Sequence, residues 1–156
     1  MWPSEISTIL APILTEALTV SRSEKGNIQL FDVASGCLTI EAQHGFDAAF
    51  LSTFRSVTAE NGCACGRAIR SRKLVIIPDI DVDEEYAPYR EAAAQAGFRS
   101  VVSLPLIGDR EKIVGVISVH RPTSWIGEAD IESLRSVAEF AAAAVIRHHQ
   151  NAKDLQ

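Results

Sequence analysis

Two cysteines separated by a single residue are the side chains in this sequence best suited to chemistry. Cys63 and Cys65 flank Ala64 in a glycine-bearing loop that opens a helix predicted over residues 62–73. The positive end of a helix dipole favours a thiolate, and so lowers the pKa of a nearby thiol. The sequence therefore allows a redox-active thiol pair made of Cys63 and Cys65.

A metal site would need more ligands than this pair offers. A structural zinc ion takes four, so Cys37 and His44 would have to join the two thiols. Residues 79–85 begin with the spacing of a calcium loop, but Glu84 and Arg90 stand where an EF-hand requires glycine and glutamate. We predict no metal site.

The composition is typical of one globular domain, which we expect to span residues 1–156. Of the 156 residues, 47% are hydrophobic and 22% are charged, and the formal net charge is −5. The chain has no cluster of basic residues of the kind that binds nucleic acid or a membrane surface, and no apolar stretch long enough to span a bilayer. We expect no signal peptide, because Glu5 is the first charged side chain. Three cysteines cannot complete a disulfide framework, so we expect reduced thiols in the cytoplasm.

The order of predicted elements is typical of an α+β fold. Hairpins pair their strands antiparallel, and helices between hairpins must cross the sheet, so the middle helices are expected to close a cavity over one face. Pro12 is expected to kink or restart the first helix. The predicted elements are a helix over 6–18, a hairpin over 27–43, short helices over 46–54 and 62–73, a strand over 74–77, a helix over 84–95, a hairpin over 100–120 and a long helix over 128–149.

Strand alternation gives the second hairpin one polar and one apolar face. Ser103 lies on the polar face of its strand, and Ser118 and His120 share a face with Val114 on the next. A ligand cavity needs a few convergent polar groups, so the two serines and the histidine are predicted to face it. The alternative is that they lie at the rim of the sheet and meet water. Gln29 and Asp32, on the first hairpin, are weaker candidates because they lie on opposite faces of their strand.

The predicted covering helix adds further ligand-binding candidates. Tyr86, Tyr89 and Arg90 are spaced to share one side of that helix. Tyrosine offers a ring and a hydroxyl, and arginine can hold a carboxylate or phosphate with two hydrogen bonds. The alternative is a solvated polar face. Cys65 completes the set of candidate pocket residues.

Short motifs along nearly the whole chain resemble those of GAF domains in bacterial sensory proteins. The match runs from about residue 5 to residue 148 and rests on the order and spacing of the motifs. They are Gly26-Asn27-Ile28-Gln29-Leu30, Gly36, Gly45-Phe46, Ala64-Cys65-Gly66-Arg67-Ala68, residues 75–79, Gly97-Phe98-Arg99-Ser100-Val101, Ser103-Leu104-Pro105-Leu106, Gly115-Val116-Ile117-Ser118 and His120.

The resemblance implies a GAF-like α+β fold with a central antiparallel sheet of about six strands. The terminal helices would pack on one face, and short helices would cover a ligand pocket on the other. In bilin-binding relatives the positions resembling Ser103 and His120 line the chromophore pocket. The ligand here is unknown, but no cysteine follows Cys65, so covalent bilin attachment is not expected.

The resemblance also implies a non-catalytic regulatory domain that senses a small molecule in signal transduction. Such domains pair through their terminal helices into homodimers and signal to an output domain such as a histidine kinase or cyclase. Residues 137–146 are apolar around more than half of the helix circumference, which favours this pairing.

A redox-active protein is the competing hypothesis. Free methionine sulfoxide reductases also have the GAF fold and likewise place a cysteine before glycine where Cys65 stands. That family adds an essential cysteine near the following helix, whereas residues 83–86 here are Asp-Glu-Glu-Tyr. Because this departure removes the expected nucleophile, a thiol switch at Cys63 and Cys65 is the stronger form of the alternative.

Overall fold

The helices and strands follow one another in the predicted order. The computed structural model describes residues 4–125 and 127–154, which form five α-helices, two single-turn 3₁₀ helices and five strands. The helices are α1 (Glu5–Ser21), α2 (Ala48–Thr53), α3 (Ala64–Ser71), α4 (Arg90–Ala96) and α5 (Glu128–Asp154), and the 3₁₀ turns are Ala87–Tyr89 and Asp109–Glu111. The strands are β1 (Lys25–Asp32), β2 (Cys37–His44), β3 (Val75–Ile77), β4 (Ser100–Ile107) and β5 (Ile113–Arg121).

The first helix begins at a capping serine and continues through its proline. The Ser4 hydroxyl accepts a hydrogen bond from the Ser7 amide at 3.2 Å, which satisfies one of the free N–H groups of the first turn. Because α1 is one continuous helix across Pro12, the predicted restart does not occur. The helix ends at Arg22, whose left-handed backbone lets its N–H reach the carbonyls of the last turn.

All five strands join one antiparallel sheet in the order β2-β1-β5-β4-β3. The α+β fold class is thereby confirmed, with five strands rather than about six. Beyond the five, Val57 pairs with Leu38 only through an isolated bridge. At the sheet centre, Gly26 of β1 approaches β5 so closely that a Cβ there would lie 2.7 Å from the carbonyl oxygen of Ser118.

The sheet carries a hydrophobic core on each face. On one face α1 and α5 cover a cluster that includes Leu10, Ile117 and Leu134, each fully buried. On the other face α2, α3 and α4 cover a second cluster, which includes Phe50, Ala68 and the two cysteines of the Cys-x-Cys pair. The terminal helices therefore occupy one face and the short middle helices the other, as predicted.

A β-bulge corrects the predicted strand faces at the start of β5. The β4–β5 register shifts between Leu106, which pairs with Gly115, and Ile107, which pairs with Ile113. Val114 is the extra residue, so it packs against the terminal-helix core, while Ile113 joins the other core. The predicted grouping of Val114 with Ser118 and His120 is therefore wrong.

The helix predicted over residues 84–95 is shorter in the structure. Residues 87–89 form a 3₁₀ turn that contains Pro88, and α4 begins only at Arg90. Proline has no amide hydrogen to donate inside a helix, but it suits a first turn. Gly97 ends α4 at φ 83°, as the sequence predicts.

The end of β5 is tied to the start of α5 by a buried ion pair. The Arg121 guanidinium lies 2.6 Å from the Asp130 carboxylate, donates to the Ser21 carbonyl and lies 3.6 Å from the centroid of the Trp125 ring. Arg22 reaches the same carboxylate at 3.0 Å, but its side chain is 75% exposed. Both guanidinium groups lower the pKa of Asp130.

Candidate functional site

A small polar cavity lies between the sheet and the short middle helices. Its volume is about 20 Å³, which is room for about one water molecule. It is thus much smaller than the pocket that a typical ligand needs. The cavity is lined by Asn27, Gln29, Phe50, Phe54, Cys63, Ala64, Cys65, Tyr86, Val101, Ser103, Ser118 and His120.

Three neighbouring strands supply the polar floor of the cavity. Ser118 of β5 pairs with Asn27 of β1 on one side and with Ser103 of β4 on the other. The Ser103 and Ser118 hydroxyl oxygens lie 2.6 Å apart and share a hydrogen bond. With His120 two residues further along β5, the predicted polar face therefore lies inward, under the middle helices.

Several atoms of this floor have no hydrogen-bond partner in the part of the chain that the structure describes. They are Oδ1 of Asn27, Oε1 and Nε2 of Gln29, and Nδ1 of His120, all in residues at most 5% exposed. A buried polar atom without a partner costs about 1–3 kcal/mol of stability. Three residues with such atoms line this one cavity, so the arrangement costs stability that a purely structural core would not need to lose.

His120 is neutral in this environment. Aromatic rings surround the imidazole, with ring centroids of Phe98 at 4.5 Å and Phe46 at 5.1 Å. Burial lowers the pKa of His120 from 6.5 to about 3, although a hydrogen bond with the backbone of Lys25 acts in the opposite direction. Near neutral pH this side chain can therefore offer the cavity hydrogen bonds but no charge.

The Cys-x-Cys pair forms part of the cavity wall. Cys63 is the N-cap of α3, Cys65 lies in its first turn, and the two sulfur atoms are 3.6 Å apart. Hydrogen bonding from Cys65 is the main cause that lowers the pKa of Cys63. The pKa of Cys65 is raised well above its ordinary value by that same bond and by burial.

The three candidates from the predicted covering helix occupy different places. Tyr86 is buried and lines the cavity, and burial raises the pKa of its hydroxyl well above the ordinary value. Tyr89 is half-buried and packs against the rings of Tyr86 and Phe54, both at 5.5 Å, without lining the cavity. Arg90 donates to the backbone carbonyls of Ile80 and Asp83 at 2.9 and 2.8 Å. Arg90 thus supports a loop and does not face the cavity.

An ion-pair network fastens the loop that carries Tyr86 to α3. Arg67 of α3 contacts the Asp83 carboxylate, and Glu85 pairs with both Arg67, at 3.4 Å, and Arg70, at 2.8 Å. The Asp83 carboxylate also accepts the Tyr86 amide at 3.0 Å. The Arg67 guanidinium lowers the pKa of Asp83. Tyr86 is therefore held over the two thiols by charged groups that lie outside the cavity.

A larger apolar groove lies on the opposite side of the molecule, between α1 and α5. The groove has a volume of about 690 Å³, and the Phe140 side chain stands 67% exposed in it. Acidic residues border it on α1 and basic residues on α5. The groove is lined by Glu5, Ile9, Pro12, Ile13, Glu16, Ser136, Val137, Phe140, Ala144, Arg147, His148 and Asn151.

Two classes of site have no counterpart in residues 4–125 and 127–154. No three His, Cys, Asp or Glu side chains there are grouped so that they could hold a metal ion. Within the same ranges, no helix has the length and apolar character needed to span a membrane.

Solved structures of signalling-protein domains have the same fold. A domain assigned to a two-component sensor histidine kinase of Sinorhizobium meliloti is 13% identical, with a TM-score of 0.78 and 98% and 99% of the two chains covered. The GAF domain of a phosphoenolpyruvate-protein phosphotransferase from Coxiella burnetii is 14% identical, with a TM-score of 0.78 over 97% and 87%. The second GAF domain of DevS from Mycobacterium smegmatis is 18% identical, with a TM-score of 0.71 over 96% and 99%.

The sequence itself identifies the family. No curated protein sequence matches the chain significantly, but the family profile described as the GAF domain matches residues 5–145. This range contains all five strands and most of α5. The chain belongs to the GAF domain family.

Proposed function

We propose that this chain is a non-catalytic regulatory domain that senses a small, uncharged, polar molecule and pairs with a second copy through α1 and α5. It acts in cytoplasmic signal transduction by controlling an output domain such as a histidine kinase or cyclase. GAF domains of a phosphotransferase and of DevS are among the chains that share its fold. The unpartnered polar atoms of Asn27, Gln29 and His120 carry the proposal.

Those atoms explain why a ligand would bind here. An amide or hydroxyl group entering the cavity would satisfy donors and acceptors that the folded chain leaves unpaired. Ser103 and Ser118 could exchange their mutual hydrogen bond for bonds to the same molecule. Cys65 and Tyr86 would close the site from the side of the middle helices.

The lining determines the charge of the ligand. No Asp, Glu, Lys or Arg side chain lines the cavity, and His120 is neutral near neutral pH, so the lining offers an anion no positive charge. Arg67 and Arg90, two cations on the cover, are engaged by a carboxylate and by backbone carbonyls respectively. A phosphate or carboxylate would thus be buried without a partner, at a large cost. An uncharged ligand avoids that cost.

The small volume provides a mechanism for sensing. A ligand larger than water can enter only if Phe50, Phe54 or Tyr86 moves, and these residues lie on α2 and the loop before α4 rather than on the sheet. Binding would therefore select a conformation in which the cover is displaced. Tyr89 and Arg90 would take part through the cover, by moving with Tyr86.

Replacing Gln29 by leucine tests the ligand site. Leucine has a similar shape but no polar atoms, so Gln29→Leu should stabilise the free protein by about 1–3 kcal/mol and abolish ligand retention. Gln95→Leu, at an exposed position of α4, is the matched control and should change neither property.

Retention is measured by native mass spectrometry of protein purified from its own host. The expected result is one small uncharged molecule on the wild-type protein and on Gln95→Leu, and none on Gln29→Leu. Wild-type protein that carries nothing, or that carries a phosphate ester, would contradict the proposed site.

The groove between α1 and α5 supports pairing with a second copy. The groove presents apolar side chains of both helices around a phenylalanine that is 67% exposed, and contact with a partner would remove this apolar surface from water. Glu5 and Glu16 on α1 and Arg147 on α5 allow one copy to meet the other with opposite charges. The surface formed by α1 and α5 of one copy would thus complement the same surface of the second copy.

Analytical ultracentrifugation tests the pairing. Wild-type protein should sediment as a dimer, Phe140→Glu as a folded monomer, and Val33→Glu as a dimer, because Val33 is 78% exposed outside the groove. A monomeric wild-type protein at high concentration would refute this part of the proposal. Neither form of the redox-active alternative, the thiol switch or the free methionine sulfoxide reductase, receives support from the family match or the similar structures.

A further inference from the structure

The two cavity thiols are placed for reaction with each other. Their sulfur atoms are 3.6 Å apart, whereas a disulfide bond is about 2.0 Å long. Closing the bond therefore needs a relative movement of about 1.6 Å. Both residues lie at the start of α3, where the backbone N–H groups make no hydrogen bond within the helix. Cys37 lies on β2, outside the cavity lining.

The surroundings give the two thiols unequal roles. The pKa of Cys63 is lowered by hydrogen bonding from Cys65, by the backbone N–H of Gly66 and by the charge of Arg67, against the effect of burial. The pKa of Cys65 is raised, so Cys65 keeps its proton. Cys63 is consequently the better nucleophile, and Cys65 is the thiol that can resolve an oxidised partner. Because Cys63 is only 1% exposed, peroxide reaches it when Phe50, Phe54 or Tyr86 moves aside, as a ligand would.

We propose that Cys63 and Cys65 are a redox-modification site that forms a reversible intramolecular disulfide with hydrogen peroxide as oxidant. The Cys63 thiolate attacks one peroxide oxygen, the O–O bond breaks, and Cys63 sulfenic acid and hydroxide form. The Cys65 sulfur then attacks the Cys63 sulfur, the S–O bond breaks, and a second hydroxide leaves. The two thiol protons convert both hydroxides to water, so the two thiols lose two electrons and the peroxide gains them.

Oxidation would change the shape of the cavity wall. Both sulfur atoms line the cavity beside Gln29 and Tyr86, so the movement that forms the bond shifts the first turn of α3 against the sheet. A dithiol such as dithiothreitol restores both thiols by exchange, in which its own two sulfurs become the disulfide. The site does not depend on a ligand, so its test is separate from that of the proposed function.

The test is a thiol assay on the full chain. Wild-type protein is treated with hydrogen peroxide, unfolded, alkylated and mapped by peptide mass spectrometry. We expect Cys63 and Cys65 to lose alkylation together, with a mass loss of two hydrogen atoms in their shared peptide, and Cys37 to remain alkylated. Dithiothreitol should restore all three thiols.

Single variants separate the two roles. In Cys65→Ser, peroxide should leave Cys63 as a sulfenic acid that dimedone labels. In Cys63→Ser, dimedone should label Cys65 much less. Serine is a favoured N-cap residue, so Cys63→Ser keeps the start of α3 intact. Cys37→Ser should form the disulfide as the wild type does.

Three results would overturn the proposal. The first is that Cys63 and Cys65 of the wild-type protein stay alkylated at peroxide doses that oxidise free glutathione. The second is that their peptide gains oxygen as sulfinic acid, and the third is that the disulfide found joins Cys37 of two molecules. Peptide mapping of the wild type decides among these even if a variant fails to fold.

Discussion

The buried His120 should make the protein less stable in mild acid. Its pKa is about 3 when folded and 6.5 in the unfolded reference, so below pH 6.5 the unfolded chain binds a proton that the folded protein excludes. Stability attributed to His120 is thus fully present above the unfolded pKa. It is lost as the pH falls from about 6.5 to about 3.

The size of the effect follows from linkage. One pKa unit corresponds to about 1.4 kcal/mol, so the full shift represents about 5 kcal/mol, which is reached only below the folded pKa of about 3. At about pH 5 the loss is about 2 kcal/mol, since the unfolded imidazole is already mostly protonated. The paired carboxylates Asp79, Asp83 and Asp130, whose pKa values are lowered from 3.8, titrate below this range. Lys25 on β1, which pairs with His120, further disfavours its protonation.

Urea unfolding at about pH 7.5 and about pH 5 measures this loss. The unfolding free energy of wild-type protein should fall by about 2 kcal/mol more than that of His120→Gln, which cannot take up the proton. His149→Gln is the control, because His149 is exposed and its pKa is lowered only by partial burial and neighbouring charges. If wild type and His120→Gln lose the same free energy between the two pH values, the folded protein does not hold His120 as a neutral buried imidazole.

Three further substitutions test the packing of the fold by the unfolding free energy in urea. Arg121→Ala should cost about 3–5 kcal/mol, because it leaves the buried Asp130 without its main partner. The control Arg22→Ala should cost less than about 1 kcal/mol, and equal costs would contradict a stabilising role for the buried Arg121–Asp130 pair. Gly66→Ala should cost about 1–3 kcal/mol, because the added Cβ would lie 2.8 Å from the Thr58 carbonyl oxygen. Ala64→Gly, in the same turn of α3, is the control and should cost no more than about 1 kcal/mol. Leu134→Ala removes a fully buried side chain from the terminal-helix core and should cost about 2–5 kcal/mol. Val33→Ala, at a 78% exposed position, should cost almost nothing, and equal costs for the two variants would contradict close packing around Leu134.

Periodicity was enough to predict the sheet faces that build the cavity. A strand exposes alternate residues to opposite faces, so Ser103, Ser118 and His120 could be assigned together without knowing what covers them. The same reasoning failed at Val114, because a bulge adds one residue and reverses the faces. A bulge has no reliable signature in residue types alone.

The polar floor of β1 was only partly recognised. Asn27 and Gln29 alternate with apolar neighbours in the sequence, which is a signal that both share a face. Asn27 is not among the predicted pocket residues, although it shares this alternation with Gln29. Which sheet face it would join depends on the pairing of β1 with β5, and local sequence does not encode that pairing.

The cover could not be predicted in the same detail. Helical spacing placed Tyr86, Tyr89 and Arg90 on one side, but the chain around Pro88 forms a 3₁₀ turn, and Arg90 finds backbone carbonyls instead. The volume of the cavity depends on how Phe50, Phe54 and Tyr86 interlock. Packing of this kind is a property of side-chain shapes in three dimensions and not of a repeat along the chain.

The central pairing of β1 with β5 determines when this protein can fold. Lys25 lies opposite His120 in the register, so the partners are 120 − 25 = 95 positions apart. Closing such a long loop costs entropy before any hydrogen bond between β1 and β5 forms. Proteins with pairings this distant in sequence typically fold slowly, in milliseconds to seconds. During synthesis the first hairpin can form early, but its inner edge stays unpaired until residue 121 has left the ribosome. Aggregation and chaperone binding should therefore concentrate in that interval, at the edge of β1 that β5 will later occupy.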